Sequence, residues 1–293
     1  FSLYFLRILM KLKKHSARAA EVISNADALL ITAGAGMGVD SGLPDFRGNQ
    51  GFWKAYPPIA KLGISFADMA NPIWFHRNPK LAWAFYGHRL NLYRNTLPHK
   101  GFSQLLEIAK QKKDGYFVFT SNVDGQFQKA GYEDDNIEEC HGSIHYFQCT
   151  TPCNGDIWPA DEVEVTVNEK NFQAVEPLPK CPRCGALART NILMFGDWNW
   201  NAHRTEKQSQ KLSDWLNYLQ VERKHLAIIE IGAGKDVATV RNYSEYSARS
   251  YHATLIRINP RDYDVTSNNI GIPAGGAEGI ESIFTDVIKS DLN

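Results

Sequence analysis

The sequence lacks any apolar stretch near the roughly 20 residues that a membrane-spanning helix requires, so we expect no membrane partner. It also lacks a net charge, because 32 basic residues balance 32 acidic ones. Proteins that bind nucleic acid through bulk charge carry an excess of basic residues, so we expect no direct nucleic-acid partner. We find no internal repeat and no low-complexity segment. A chain of 293 residues is long enough for one large or two modest domains.

The N-terminal ten residues are mostly apolar, and basic residues such as Arg7 and Lys11 precede the first acid, Glu21. A secretory signal peptide places its basic residues first, so this order does not match one. Two interpretations remain, a targeting presequence or a translated extension ahead of Met10. We favour the extension, and therefore expect a cytoplasmic protein whose first helix covers residues 16–25.

Cysteine is scarce, and four of the five cysteines fall into two close pairs, Cys149 with Cys153 and Cys181 with Cys184. Such pairs suit a metal site in a reducing compartment better than a disulfide framework. Two pairs can place four thiolates tetrahedrally around zinc. Four protein ligands leave no open coordination position, so this zinc would be structural. Cys140 lies outside the pairs, and we interpret it as a packing residue.

The stretch from residue 31 to residue 47 contains the densest set of functional signals. An apolar run at residues 28–30 predicts a buried parallel strand that leads into it. Gly34 and Gly36 remove side chains where a backbone could approach a pyrophosphate. A plain β–α turn would explain two glycines equally well. An ordinary dinucleotide fold, however, has no need of the Asp-Phe-Arg sequence at residues 45–47, which can reach the nicotinamide end of a dinucleotide.

Gly34-Ala-Gly36 followed by Ser41-Gly-Leu-Pro-Asp-Phe-Arg47 resembles the signature of the sirtuins, which are NAD-dependent protein deacylases. The resemblance implies that NAD is a consumed co-substrate and that the partner is an acylated lysine of a protein substrate. It also implies cofactor contacts by Gly34, Ala35, Gly36, Asp45, Phe46 and Arg47.

Two further segments extend the resemblance. Thr120-Ser-Asn-Val-Asp124 follows a predicted strand at residues 116–120, and ligands bind beyond the carboxyl ends of such strands. It resembles the sirtuin pattern Thr-Gln-Asn-Ile-Asp, which implies catalytic and cofactor roles for Asn122 and Asp124, although both residue types are also ordinary helix N-caps. Ser121 replaces the family's glutamine, which leaves its cofactor contact open.

His141 precedes a glycine, as in the catalytic His-Gly of sirtuins, and a histidine is a natural general base near neutral pH. A lone histidine is more often a surface residue. The resemblance assigns substrate contacts to Phe195 and Gly196, on a strand to which the substrate backbone adds. It assigns cofactor contacts to Gly232, Ala233, Gly234 and Asn259, where the usual hydroxyl donors of the Gly-Thr-Ser segment are missing.

Tyr86 and Arg89 are three residues apart, so a helix would place both on one face. They resemble the Tyr-x-x-Arg pair of sirtuins that accept succinyl- or malonyl-lysine. Arginine presents a planar fork that matches a carboxylate, and tyrosine adds a directed hydroxyl. In the alternative interpretation, Tyr86 is a core aromatic and Arg89 is an exposed charge.

Alternating strands and helices predict an α/β fold with a doubly wound, Rossmann-like parallel sheet. We assign residues 16–50, 100–140 and 190–293 to this NAD-binding domain. Residues 51–99 would form a helical insertion and residues 141–189 a zinc-binding lobe, which together make a small domain. The polar segment at residues 48–53 would be a mobile loop that closes over the cofactor.

The resemblance also implies the reaction. An acyl-lysine carbonyl oxygen attacks the nicotinamide ribose, nicotinamide leaves, and His141 acts as general base on a ribose hydroxyl; the products are free lysine, nicotinamide and O-acyl-ADP-ribose. An NAD glycohydrolase or ADP-ribosyltransferase is the alternative, because it shares the first half-reaction and because Gly38, Ser121 and Gly234 depart from the deacylase pattern. A non-catalytic NAD-binding module would need neither His141 nor Asn122.

Overall fold

The computed structural model describes residues 2–45, 48–151 and 153–291. Its helices are α1 Ser2–Asn25, α2 Gly48–Ala55, α3 Pro57–Lys61, α4 Phe66–Met69, α5 Trp74–Arg77, α6 Pro79–Asn95, α7 Lys100–Lys110, α8 Gln126–Lys129, α9 His203–Val221, α10 Thr239–Ser250 and α11 Gly276–Asp291. Its strands are β1 Ala28–Ala33, β2 Tyr116–Thr120, β3 Ile137–Glu139, β4 Gly142–Cys149, β5 Ile157–Pro159, β6 Val167–Asn168, β7 Gln173–Ala174, β8 Ala188–Ile192, β9 Leu226–Ile231, β10 Thr254–Ile258 and β11 Ile270–Ile272. Among these described residues, no helix combines the length and apolar character needed to cross a bilayer.

Six strands form one parallel sheet in the order β11-β10-β9-β1-β2-β3. The central strand β1 pairs with β2 on one side and with β9 on the other, so the chain winds outward in both directions. This is the predicted doubly wound α/β fold. The strand order reverses between β1 and β9, and ligands of such sheets bind beyond the carboxyl ends of the strands at this switch point.

Helices cover both faces of the sheet, which explains why most residues of its strands are apolar. Alternate side chains of a strand point to opposite faces. Leu29 and Ile31 therefore pack with α1, α7 and α11 on one side, whereas Ala28 and Leu30 pack with α9 and α10 on the other. The sheet is thus rigidly held, and its carboxyl edge is a firm base for a site.

A second hydrophobic core joins the helices α2–α6 to the antiparallel sheet β5-β4-β8. At its centre the fully buried Trp83 meets the Phe147 ring at 5.1 Å, and its indole N–H donates to the carbonyl oxygen of Ala188 at 3.0 Å. The helical insertion and the cysteine-bearing lobe therefore pack as one unit. The exact limits of the proposed domains remain a prediction.

The expectation of a mobile loop at residues 48–53 is wrong. These residues lie in α2, and Phe52 is fully buried. Its ring makes edge contacts with Phe66 at 5.5 Å and with Phe85 at 5.8 Å, so the segment is fixed by partners distant in sequence. Helix α10 and the short strands β3 and β11 were not predicted.

Candidate active site

A cleft of about 1060 Å³ lies between the carboxyl edge of the sheet and the small domain. Most of the predicted site residues line it: Gly34, Ala35, Gly36, Asp45, Tyr86, Arg89, Ser121, Asn122, Asp124, His141, Phe195, Gly196, Gly232, Ala233 and Gly234. Phe46 and Arg47 lie outside the residues that the structure describes. The topology thus brings together segments that are far apart along the chain.

The floor of the cleft is formed where the loops after β1 and β9 press against each other. The backbone N–H of Gly36 donates to the carbonyl oxygen of Gly232 at 3.1 Å. A Cβ at Gly36 would lie only 2.6 Å from the Cα of Gly232, which itself has a φ of +64°. Glycine is therefore required on both loops, because their backbones touch. Around Gly234, in contrast, a Cβ would meet nothing within 4 Å.

Asn122 and Asp124 follow β2 and face this floor. The Asn122 side-chain amide donates to the carbonyl oxygen of Gly34 at 3.0 Å, so it ties the β2 exit to the glycine loop. Asp124 accepts from the backbone N–H of Gln126, the first residue of α8, at 2.9 Å. Burial raises the pKa of the Asp124 carboxyl to about 6. The N-cap of α8 is Gly125, so neither Asn122 nor Asp124 is the N-cap residue of that helix, although Asp124 bonds its first N–H group.

His141 is half-buried in the cleft wall between β3 and β4. Burial lowers the pKa of its imidazole, and a hydrogen bond to the Ser121 backbone opposes that shift. The ring is therefore neutral near pH 7, the state that a general base requires. The following Gly142 has a φ of +75°, and a Cβ there would lie 2.1 Å from the carbonyl oxygen of Asn191. The glycine of the His-Gly sequence is thus required where β4 begins against β8.

Asn259 does not line the cleft. It is fully buried, and its amide donates to the carbonyl oxygen of Ala233 at 3.0 Å. Its side-chain oxygen accepts from the backbone N–H groups of Arg261 and Asp262. Asn259 therefore holds the β9 and β10 loops together behind the lining, and its cofactor contact stays a prediction.

Tyr86 and Arg89 lie on one face of α6, and both line the cleft. Arg89 is only 7% exposed, so the alternative interpretation of an exposed arginine is wrong. Its guanidinium carbon lies 5.9 Å from the centre of the Tyr86 ring. The buried Tyr86 hydroxyl has no hydrogen-bond partner within the described part of the chain. A buried hydroxyl without a partner is costly, which makes it a candidate contact for a ligand.

Phe195 and Gly196 lie on the cleft rim after β8. The backbone N–H of Phe195 donates to the carbonyl oxygen of Ala70 at 2.9 Å. Asp197 forms a buried ion pair with Arg189 and so fixes the bend of this segment. Because the Phe195 N–H already donates to Ala70, a peptide that adds here as a strand would hydrogen-bond mainly to the carbonyl groups of this segment.

The four paired cysteines meet at one point of the small domain, with their sulfur atoms all within 4.8 Å of one another. The Sγ atoms of Cys149 and Cys184 are 3.6 Å apart, and those of Cys153 and Cys181 are 3.7 Å apart. Thiolates at ~2.3 Å from a tetrahedral zinc are ~3.8 Å from each other, so the cluster fits a structural zinc ion. Cys140 lies apart from the cluster, and burial raises the pKa of its thiol, which agrees with a packing role.

Several lining residues were missed from the sequence, including Asn49, Tyr93 and Asp262. Tyr93 follows Arg89 by four residues, a helical spacing that could have indicated it. No local sequence signal marks Asn49 or Asp262 as a site residue, because only the tertiary fold brings them to the cleft.

Comparisons with known proteins agree with this geometry. The model of the Sir2 family matches residues 34–218. An NAD-dependent protein deacylase of Thermococcus sibiricus is 31% identical over 274 residues, which cover 92% of this chain and 95% of that protein. An NAD-dependent protein deacylase of Pyrococcus abyssi is 35% identical over 182 residues, covering 61% of this chain and 64% of that protein. The chain thus spans slightly less than two thirds of the length of the Pyrococcus relative.

Among solved structures, a mutant Sir2 homologue in complex with ADP-ribose is similar to this chain, with a TM-score of 0.67 and 25% identity. The superposition covers 94% of this chain and 97% of the other. A Sir2 protein bound to an acetylated peptide gives a TM-score of 0.66 at 17% identity, which supports the fold alone.

Proposed function

This chain belongs to the Sir2 family, and we propose that it is an NAD-dependent protein-lysine deacylase. One observation carries the proposal: His141 shares a cleft with Asn122 and with the touching glycine loops of β1 and β9. Relatives of this chain are named NAD-dependent protein deacylases. The proposal covers the activity, the acylated lysine partner and the products.

The floor of the cleft has the chemical character that NAD binding requires. Gly34, Gly36 and Gly232 bring bare backbone to the switch point of the sheet, where a pyrophosphate can approach. When bound, NAD supplies the ribose carbon that receives the acyl oxygen, and the expected products are nicotinamide, O-acyl-ADP-ribose and free lysine.

His141 is the candidate general base in this proposal. Its imidazole is neutral and fixed by the Ser121 backbone, so it can accept a proton from a ribose hydroxyl. Asn122 is anchored to Gly34 and can orient the ligand at the same end of the cleft. The apolar side chains of Leu43, Val123 and Ile192 line the walls and limit the access of water to the reacting atoms.

We also propose that acidic acyl groups are accepted at least as well as acetyl groups. Arg89 offers a charged fork inside the cleft, and Tyr86 offers a buried hydroxyl that lacks a partner in the described structure. Burial raises the pKa of Tyr86 to about 12, so its phenol stays protonated and can donate. A carboxylate at the end of an acyl chain could accept hydrogen bonds from both groups.

A second candidate activity is NAD hydrolysis or ADP-ribosyl transfer. The open space beside Gly234 favours this second activity. The family pattern places hydroxyl side chains in this segment, and their absence leaves this end of the cleft less filled. A ribosyl acceptor other than the acyl oxygen would then compete.

The test is to incubate the full chain with NAD and one peptide that carries acetyl-lysine or succinyl-lysine, and to identify the products by mass. Peptide-dependent formation of nicotinamide, O-acyl-ADP-ribose and free lysine supports the deacylase. Free ADP-ribose formed at the same rate without peptide would instead support the glycohydrolase. ADP-ribose attached to protein would support the transferase.

A further inference from the structure

Arg89 can select a carboxylate only if its long side chain is held in one orientation before the substrate arrives. A free arginine samples many rotamers, and ordering them on binding reduces affinity. The guanidinium carbon of Arg89 is enclosed by rings, at 5.2 Å from the centre of Phe85 and 5.4 Å from that of Tyr93. Ring contacts limit its translation, but they do not fix the rotation of a planar fork.

Tyr93 constrains the rotation of the fork. Its hydroxyl accepts a hydrogen bond from Nε of Arg89 at 3.1 Å and a second from Nη2 at 2.9 Å. The two bonds hold the edge of the fork formed by Nε and Nη2 in one orientation. Both residues line the cleft, and Tyr93 is only 5% exposed. Burial raises the pKa of Tyr93, so the phenol stays neutral beside the cation.

We propose that Tyr93 is a specificity-determining residue of the acyl pocket, which acts by positioning the Arg89 guanidinium for an acidic acyl group. This inference rests on the acyl preference proposed above. It extends the Tyr86 and Arg89 pair to a third residue on the same helix face, one turn further along α6.

The test compares Tyr93→Phe, which removes only the hydroxyl, with Tyr132→Phe as a matched control. Tyr132 is also a buried tyrosine, but it lies in the core under the parallel sheet, where its hydroxyl donates to the carbonyl oxygen of Phe102 at 2.9 Å, and it does not line the cleft. kcat/KM is measured for succinyl and acetyl versions of one peptide. We expect the succinyl-to-acetyl ratio to fall about tenfold in Tyr93→Phe, mainly through KM, and to stay within about twofold of wild type in Tyr132→Phe.

A second measurement examines the orientation of Arg89 directly. In ¹⁵N-labelled protein the Nε–H signal of Arg89 is assigned by its loss in Arg89→Lys, and its exchange with solvent is followed. We expect exchange to be about tenfold faster in Tyr93→Phe than in wild type, because the hydrogen bond that protects Nε–H is gone.

The outcomes separate the inference from the function on which it rests. An unchanged ratio in Tyr93→Phe, in an enzyme that does remove succinyl groups, overturns the role of Tyr93 alone. A fall in the ratio without faster Nε–H exchange overturns positioning as its cause. A wild-type enzyme that removes acetyl but not succinyl groups overturns the acyl preference and this inference together.

Discussion

His141 is the single residue on which the proposed chemistry depends most. We predict that His141→Ala keeps its fold and its NAD binding but loses peptide deacylation by at least about a hundredfold, the usual contribution of a general base. The measurement is peptide turnover together with NAD affinity by calorimetry. His203→Ala is a matched control, because His203 is exposed at the start of α9. Undiminished turnover by the His141 variant would remove His141 from this role.

The acid limb of the pH profile should include the titration of Asp124. Burial raises the pKa of Asp124 to about 6, so its carboxylate gains a proton as the pH falls through that value. Burial lowers the pKa of His141, so its imidazole stays neutral to a lower pH than that of an ordinary histidine. We expect kcat/KM to decline below about pH 6 in wild type, and Asp124→Asn to shift that decline to lower pH. An identical acid limb in both proteins would show that Asp124 does not control it.

The sequence can indicate that two residues lie close together where their positions along the fold decide it. Asn122 and His141 follow neighbouring strands, so the carboxyl edge of the sheet brings both into the cleft. Asn259 also follows a strand, but its side chain turns back to the Ala233 carbonyl oxygen. The role of Tyr93 depends on the rotamer of Arg89, and a sequence does not specify rotamers.

The paired loops after β1 and β9 are the structural element with the least tolerance for substitution. A Cβ at Gly36 would clash with backbone rather than with a flexible side chain. We predict that Gly36→Ala lowers the free energy of unfolding by about 1–3 kcal/mol, as overpacking does, and weakens NAD binding. Gly234→Ala is the control for stability and should change it by less than about 0.5 kcal/mol, because its Cβ meets open space. Equal stabilities by chemical denaturation would contradict the tight loop contact.

The cysteine cluster should hold one zinc ion that the small domain needs for folding. We predict that chelation unfolds the lobe around Cys149, Cys153, Cys181 and Cys184 and abolishes activity indirectly, because structural zinc contributes folding free energy. Cys181→Ser should lose the metal, whereas Cys140→Ser should keep it. Elemental analysis measures the zinc content of each variant, and hydrogen exchange shows whether the lobe remains folded. Zinc-free protein with full activity would disprove the assignment.

Strands with their own apolar pattern were predicted closely, whereas elements fixed by distant partners were not, and α1 begins at Ser2 rather than at residue 16. Strand β2 has the bounds expected from its apolar run, Tyr116–Thr120. Helix α2 was expected to be a loop, because its polar, glycine-containing sequence does not show that Phe52 enters an aromatic core with Phe66 and Phe85. Strands β3 and β11 have three residues each and exist only through pairing with β2 and β10.

At the scale of the whole molecule, the cleft separates two kinds of surface. The sheet side carries the glycine loops, Asn122 and Asp124, whereas the small domain carries Tyr86 and Arg89 on α6. A ligand that spans the cleft would therefore meet backbone and a carboxyl on one side and a guanidinium on the other. Because the two surfaces are separate, we predict that a substitution on α6 can change the acyl selectivity without abolishing cofactor binding.

Arg89→Met tests this separation. Removing the guanidinium leaves a substrate carboxylate without its charged partner, which typically costs a few kcal/mol, whereas an acetyl group has no carboxylate to lose. We predict that kcat/KM for a succinyl peptide falls roughly a hundredfold and that the value for the acetyl peptide falls far less, since about 1.4 kcal/mol corresponds to tenfold. Lys80→Met is the matched control, because Lys80 is an exposed cation of the same helix with a surface partner, Glu176. Equal losses for both acyl groups in Arg89→Met would mean that Arg89 supports the fold of the small domain rather than the recognition of the acyl group.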